Sequence, residues 1–190
     1  MSTQGHPLGL NRVLKPLHCL PQAAHRLNPD LPLCDNEILV DLSFLQIDSA
    51  SFRSLMDQVQ GTKKLNTDEL KNRLKQTISL IVLERGKMHN SITNSGGIFF
   101  GKIREIGAKH PRKNDFAIGD KVVSLVSLTL TPLSIYEIHD IDLEADRVFI
   151  SGHALLFESG MLTKIPHDLP EGVVMAALDI CGAPAQVNRH

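Results

Sequence analysis

Gly97-Ile98-Phe99-Phe100-Gly101-Lys102-Ile103-Arg104-Glu105-Ile106-Gly107, followed after a polar stretch by Phe116-Ala117-Ile118-Gly119-Asp120-Lys121-Val122-Val123, is the passage on which the fold turns. Its first part predicts a strand over 98–106, with Gly101 and Gly107 allowing a close backbone approach or a bulge. Its second part predicts a turn feeding another strand. Upstream, Asn36-Glu37-Ile38-Leu39-Val40-Asp41-Leu42-Ser43-Phe44-Leu45-Gln46-Ile47 is a β-type run bounded by the polar cluster Asp48-Ser49-Ala50-Ser51. Downstream, 125–138 is apolar and rich in β-branched residues, broken by Pro132, and 146–150 and 162–165 predict further short strands. Many short strands with Gly and Pro turns predict a mainly β fold with some α, closed into a small barrel.

The ends of the chain read differently. Pro7, Pro16, Pro21, Pro29 and Pro32 punctuate residues 1–35, which predicts an extended lead-in with a short strand near 12–17. Two helices are expected. A short one over 51–58 follows the polar cluster. A longer one over 67–85 is capped by Asn66 with Glu69 three residues on, and ends at Gly86. Leu70, Leu74, Ile78 and Ile81 share its apolar face, leaving Lys71, Arg73 and Lys75 toward water. Residues 87–97, Lys87-Met88-His89-Asn90-Ser91-Ile92-Thr93-Asn94-Ser95-Gly96-Gly97, make a poor core segment and a good site-lining loop.

Composition narrows the function. At 190 residues the chain is long enough to bury a core, and its net charge of −1 lacks the basic face that nucleic-acid phosphates require. With no Trp and one Tyr, stacking platforms for bases are not expected either. No apolar run approaches the length needed to span a bilayer. Cys19, Cys34 and Cys181 are widely spaced, with no CxxC, and the N-terminus has no apolar leader. Reduced thiols in a cytoplasmic protein are expected.

The two blocks above, joined by Lys164-Ile165-Pro166-His167-Asp168-Leu169-Pro170 leading into Ala176-Ala177 and Cys181-Gly182-Ala183-Pro184-Ala185-Gln186, resemble in order the catalytic domain of the medium-chain dehydrogenase/reductase family. That resemblance implies a GroES-like β-barrel, with lead-in strands over 1–35, the barrel over 36–178, and over 179–190 the start of a connection to a Rossmann domain expected beyond the chain. Within the family, 47–52, 84–90, 95–97 and 181–186 are most similar to NAD-dependent enzymes that oxidatively deaminate a β-amino acid at its C3 amine. The implied partner is a small amino acid substrate, and the implied full-length protein is a homodimer. Two alternatives stay open: a metal-free quinone or enoyl reductase of the same family, and a non-enzymatic GroES-like binding module.

Zinc-dependent relatives carry Cys, Gly-His-Glu and Cys where this chain has Asp48, Gly96-Gly97-Ile98 and Cys181. Glycine offers no side-chain ligand, so no metal site and no zinc are expected. His89, His153 and His167 match no standard ligand spacing. No G-x-G-x-x-G exists among the 13 glycines, so no cofactor-binding residue is expected within the chain and NAD would be held mainly by the domain beyond it.

Deaminating an ammonium-bearing carbon then requires a base. Asp48 stands where the family places its catalytic group; its alternative is a turn-capping Asp serving Ser49 and Ser51. His89 in the polar loop is the second candidate, against an ordinary exposed His. Ser49, Ser51, Asn90, Ser91 and Thr93 are the candidate substrate-binding residues. Lys87 or Arg85 is expected to pair the substrate carboxylate, although Arg85 also suits a helix C-terminus. Cys181 is expected to pack at the domain boundary.

Overall fold

A computed structural model describes residues 3–62 and 65–165. After a single 3₁₀ turn, β1 (Val13–Lys15) and β2 (Arg26–Leu27) form a small antiparallel pair. A six-stranded antiparallel sheet follows in the order β6-β7-β3-β4-β5-β8, with β3 Ile38–Gln46, β4 Ile98–Ile106, β5 Lys121–Ser124, β6 Leu133–Asp142, β7 Arg147–Leu156 and β8 Leu162–Lys164. Helices α1 (Ser49–Gln60) and α2 (Thr67–Arg85) join β3 to the polar loop. The boundary at 178 and the connection over 179–190 lie outside the described residues.

The mainly β class holds, but among the described residues the sheet is open instead of closed. Its long edge strand β6 is covered by α2. Lys71 Nζ reaches Asp140 Oδ1 at 2.9 Å, and Lys75 Nζ donates to the His139 carbonyl at 2.6 Å. These lysines were expected to face water; Lys75 instead caps a backbone carbonyl of the edge strand, and Lys71 pairs with a side chain on it. α2 otherwise follows its sequence. Asn66 and Glu69 form the reciprocal cap, Gly86 takes φ +61°, and Leu74, Ile78 and Val82 are buried.

The main core lies between the sheet and both helices, with Ile38, Val40 and Leu42 of β3 against Phe52, Leu55, Leu74 and Ile78. Ser43 is an extra residue in β3: Leu42 pairs with Gly101 and Phe44 with the next residue back, Phe100. That bulge sends Phe44 to the opposite face, where it stacks on Phe100 at 4.5 Å, and returns Leu45 and Ile47 to the main core. The facing of residues 44–47 depends on it. Gly101 meets its expectation of close approach, since a Cβ there would lie 2.2 Å from the Asp41 carbonyl.

Two segments depart from their sequence pattern. The apolar stretch 125–131 is not strand. Thr131 Oγ1 donates to the Ser127 carbonyl, and Ser127 Oγ accepts from the Thr129 N–H, local bonds that compete with a ladder. The lead-in is pinned more firmly than its prolines suggest. Arg12 makes a two-pronged contact with Glu37 (Nη2–Oε2 2.6 Å, Nε–Oε1 3.0 Å) and donates to the Asp30 and Pro32 carbonyls.

Candidate active site

β3 ends at Gln46, and Asp48 starts α1 as its N-cap. Asp48 Oδ1 accepts from the Ser51 N–H at 2.9 Å. Its other oxygen, Oδ2, is buried with no hydrogen-bond partner. The capping alternative is therefore a fact, and it occupies only half of the carboxylate.

The polar loop is pressed against this corner by glycine. Gly97 has φ +86°, and a Cβ there would lie 2.0 Å from the Gln46 carbonyl and 2.9 Å from Asp48 N. A Cβ on Gly96 would lie 2.5 Å from the Met88 carbonyl. No other residue permits the loop to close so tightly on the end of β3.

Within the loop, the candidates separate by what they already hold. Asn90 Nδ2 donates to the Ser51 carbonyl at 3.0 Å, while its Oδ1 accepts from the Ile92 and Thr93 N–H groups. Asn90 thus builds the loop, and its amide has little left for a substrate. Ser51 Oγ and Thr93 Oγ1 share a short hydrogen bond, with Ser51 buried. Ser49 turns away: its hydroxyl donates to Asp146 Oδ2 at 2.6 Å, on the β6–β7 turn. Ser91 is exposed. The structure therefore unites Asp48, Ser51, Asn90 and Thr93 and leaves Ser49 outside the group.

His89 is half-buried, and its Nδ1 has no hydrogen-bond partner. Burial lowers its pKa, and the charges of Arg85, Lys87 and His25 lower it further. Its strongest charged neighbours are cations, so the geometry does not pair it with Asp48.

Lys87 departs furthest from expectation. It is fully buried, and its Nζ donates to the Pro21 carbonyl at 2.8 Å and the Gln22 carbonyl at 3.1 Å. Burial, and then Arg85, lower its pKa to about 8. A residue expected to meet a substrate carboxylate instead holds the lead-in. Its position beside the polar loop was legible; its burial depends on lead-in packing, which has no local pattern. His110, not singled out by its sequence, is also buried with an unpartnered Nε2, but on the β4–β5 connection. His153 is satisfied by Tyr136 and the Pro29 carbonyl. Among the described residues no group of His, Cys, Asp or Glu is arranged to hold a metal ion; His167 and Cys181 lie outside them. Nor is any helix there long and apolar enough to cross a membrane.

The family model described as L-erythro-3,5-diaminohexanoate dehydrogenase N-terminal domain matches residues 11–166, and the chain belongs to that family. It is 45% identical over 186 residues to L-erythro-3,5-diaminohexanoate dehydrogenase of Fusobacterium nucleatum, and 45% identical over 187 residues to the protein of that name from Acetoanaerobium sticklandii. Each match covers 98% of this chain and 52% of the relative, so the chain spans about half the length of the curated relatives it matches.

Proposed function

We propose that this chain is the substrate-side catalytic domain of an NAD-dependent dehydrogenase that oxidatively deaminates 3,5-diaminohexanoate at C3, giving 5-amino-3-oxohexanoate and ammonium, as a step of lysine fermentation in the cytoplasm. The names of its relatives point to the substrate. The observation that carries the chemistry is Asp48 Oδ2, buried and unpartnered at the glycine-closed corner. A buried acceptor without a donor costs free energy unless a ligand supplies one. In this reading Asp48 takes a proton from the C3 ammonium, freeing the nitrogen lone pair that assists loss of hydride from C3 to NAD; water then adds to the C3 iminium, and the C–N bond breaks to release ammonium and leave the ketone. Thr93 and Ser51 flank the substrate, and Asn90 holds the loop in place. His89, whose pKa is lowered by burial and then by the charges of Arg85, Lys87 and His25, is the second candidate base.

The glycine pair of the polar loop does not fit the pyrophosphate of NAD. Gly96 and Gly97 are packed against the Met88 and Gln46 carbonyls and leave no open phosphate cradle. The dinucleotide belongs, in this reading, to the portion of the relatives beyond this chain, as does the homodimer contact, and the chain alone is inactive. The open sheet with its helices is read as the GroES-like catalytic domain of a medium-chain dehydrogenase.

The test is turnover by the full-length protein carrying this chain, offered 3,5-diaminohexanoate with NAD, and quinones or enones with reduced cofactor. Oxidation of the diamino acid with release of ammonium is the expected result. Reduction of quinones or enones alone would move the function to the reductase alternative, and no turnover of either would favour a binding module.

A further inference from the structure

Two cations are fully buried among the described residues, and they are treated differently. Arg12 faces Glu37, whereas Lys87 faces no carboxylate there; its ammonium rests on two backbone carbonyls. A buried ammonium without a counter-ion costs stability that an apolar side chain of the same length would not. Its position indicates what the cost supports. Pro21 and Gln22, whose carbonyls hold Nζ, line a cavity of about 430 Å³. Leu125, Val126, Ser127 and Leu130 line it as well, and this segment is tied to the polar loop through the Leu128 N–H, which donates to the Gly97 carbonyl at 2.8 Å. The first residue of the loop thus anchors one lining segment of the cavity and its last residue anchors another. The lining is mostly aliphatic, with the Ser127, Thr131 and Ser159 hydroxyls and no charged side chain, and its size is that of a small-molecule site.

We propose that Lys87 is a substrate-positioning residue, which by holding Pro21 and Gln22 sets the width of this cavity, and that the cavity takes the hydrocarbon part of a short-chain amino acid. This rests on the proposed function for the substrate class; the clamp itself does not. A lysine so placed acts on binding and not on the reacting atoms, so its loss raises KM and leaves kcat.

The experiment compares Lys87→Met, which keeps the aliphatic stem and removes the donors, with Lys87→Arg, which restores donors, both in the full-length protein. Amide hydrogen exchange over 20–25 should quicken about tenfold in Lys87→Met and stay near wild type in Lys87→Arg. The KM for 3,5-diaminohexanoate should rise about tenfold in Lys87→Met with kcat within about twofold, and Lys87→Arg should recover most of that rise. Unchanged exchange in Lys87→Met overturns the clamp. Quickened exchange with an unchanged KM overturns the role in binding, and a fallen kcat at unchanged KM overturns positioning in favour of chemistry. Should Lys87→Met fail to fold, Leu130→Trp narrows the cavity from another lining segment, and an unchanged KM there overturns the proposal. If the wild type does not oxidise 3,5-diaminohexanoate, the proposed function and the substrate assignment fall together, while the exchange measurement still judges the clamp.

Discussion

Two carboxylates bracket β3, Glu37 just before it and Asp48 just after, and the fold treats them in opposite ways. Both Glu37 oxygens are taken by Arg12, and Oε2 also accepts the Cys34 N–H at 2.8 Å. Asp48 gives one oxygen to the helix cap and keeps the other buried and empty. The saturated carboxylate fastens the lead-in to the sheet, and its chemistry is used up in doing so. The half-empty one carries unspent acceptor capacity beside a polar loop, which is what a site requires. Asn90 belongs with Glu37, since both ends of its amide are taken within the site's own framework.

The largest expected effect tests the saturated side. Glu37→Gln leaves the buried Arg12 guanidinium without its counter-ion, and such a loss typically costs about 3–5 kcal/mol. Urea unfolding measures it, and a change under about 1 kcal/mol would show that the contact is not the anchor described here. The pH dependence carries the same test. Burial by itself raises the Glu37 pKa, but the Arg12 hydrogen bonds, the Cys34 N–H and the Arg12 charge together outweigh it and hold the group below its ordinary 4.5. A depressed folded pKa means stability that is present above pH 4.5 and lost as pH falls from there through the lower folded value. The wild type should lose stability over that window, and Glu37→Gln should lose less of it.

Asp48→Asn tests the unspent side. Asn caps a helix about as well as Asp, so stability should shift by no more than about 0.5 kcal/mol. Turnover of 3,5-diaminohexanoate should fall about 100-fold or more, because the amide accepts no proton. Thermal melting and steady-state kinetics on the same preparation separate the two. If turnover survives while the helix stays capped, the base is His89, and the half-free carboxylate is only a cap.

How much of this was legible in the sequence follows from how far apart the deciding residues are. α2 was readable to its last residue, because Asn66, Glu69 and Gly86 act within one turn of the ends they define. β4 was readable because its glycines and alternation are local. The Asp48 cap was visible because Ser51 lies three residues away; a role for Asp48 in chemistry came only from the family resemblance. The Ser43 bulge was not legible: it exists only against β4, the partner on one side of β3. Nor was the pairing of Ser49 with Asp146, 97 positions away in the chain, or the burial of Lys87 beneath carbonyls 65 and 66 positions upstream. The open edge of the sheet among the described residues was hidden for a related reason. Nothing in the alternation of β6 records that lysines from α2 cover its edge.

The smallest effect sharpens the comparison inside the loop, where Thr93 stands between the two kinds of residue. Its hydroxyl is bonded to the buried Ser51 hydroxyl, and its backbone N–H is bonded to Asn90 Oδ1. Thr93→Val keeps the shape and the backbone bond but removes one hydroxyl, leaving Ser51 Oγ buried without its partner. That is expected to cost about 1 kcal/mol. If the hydroxyl pair only ties the loop to α1, turnover should stay within about twofold once the protein is folded, since the substrate then loses nothing. If Thr93 also touches the substrate, KM rises beyond what the stability loss accounts for, and the loop belongs with Asp48 on the unspent side. Kinetics well below the melting temperature, where the 1 kcal/mol leaves the population folded, distinguish these outcomes. They place the boundary between structure and site at a single side chain.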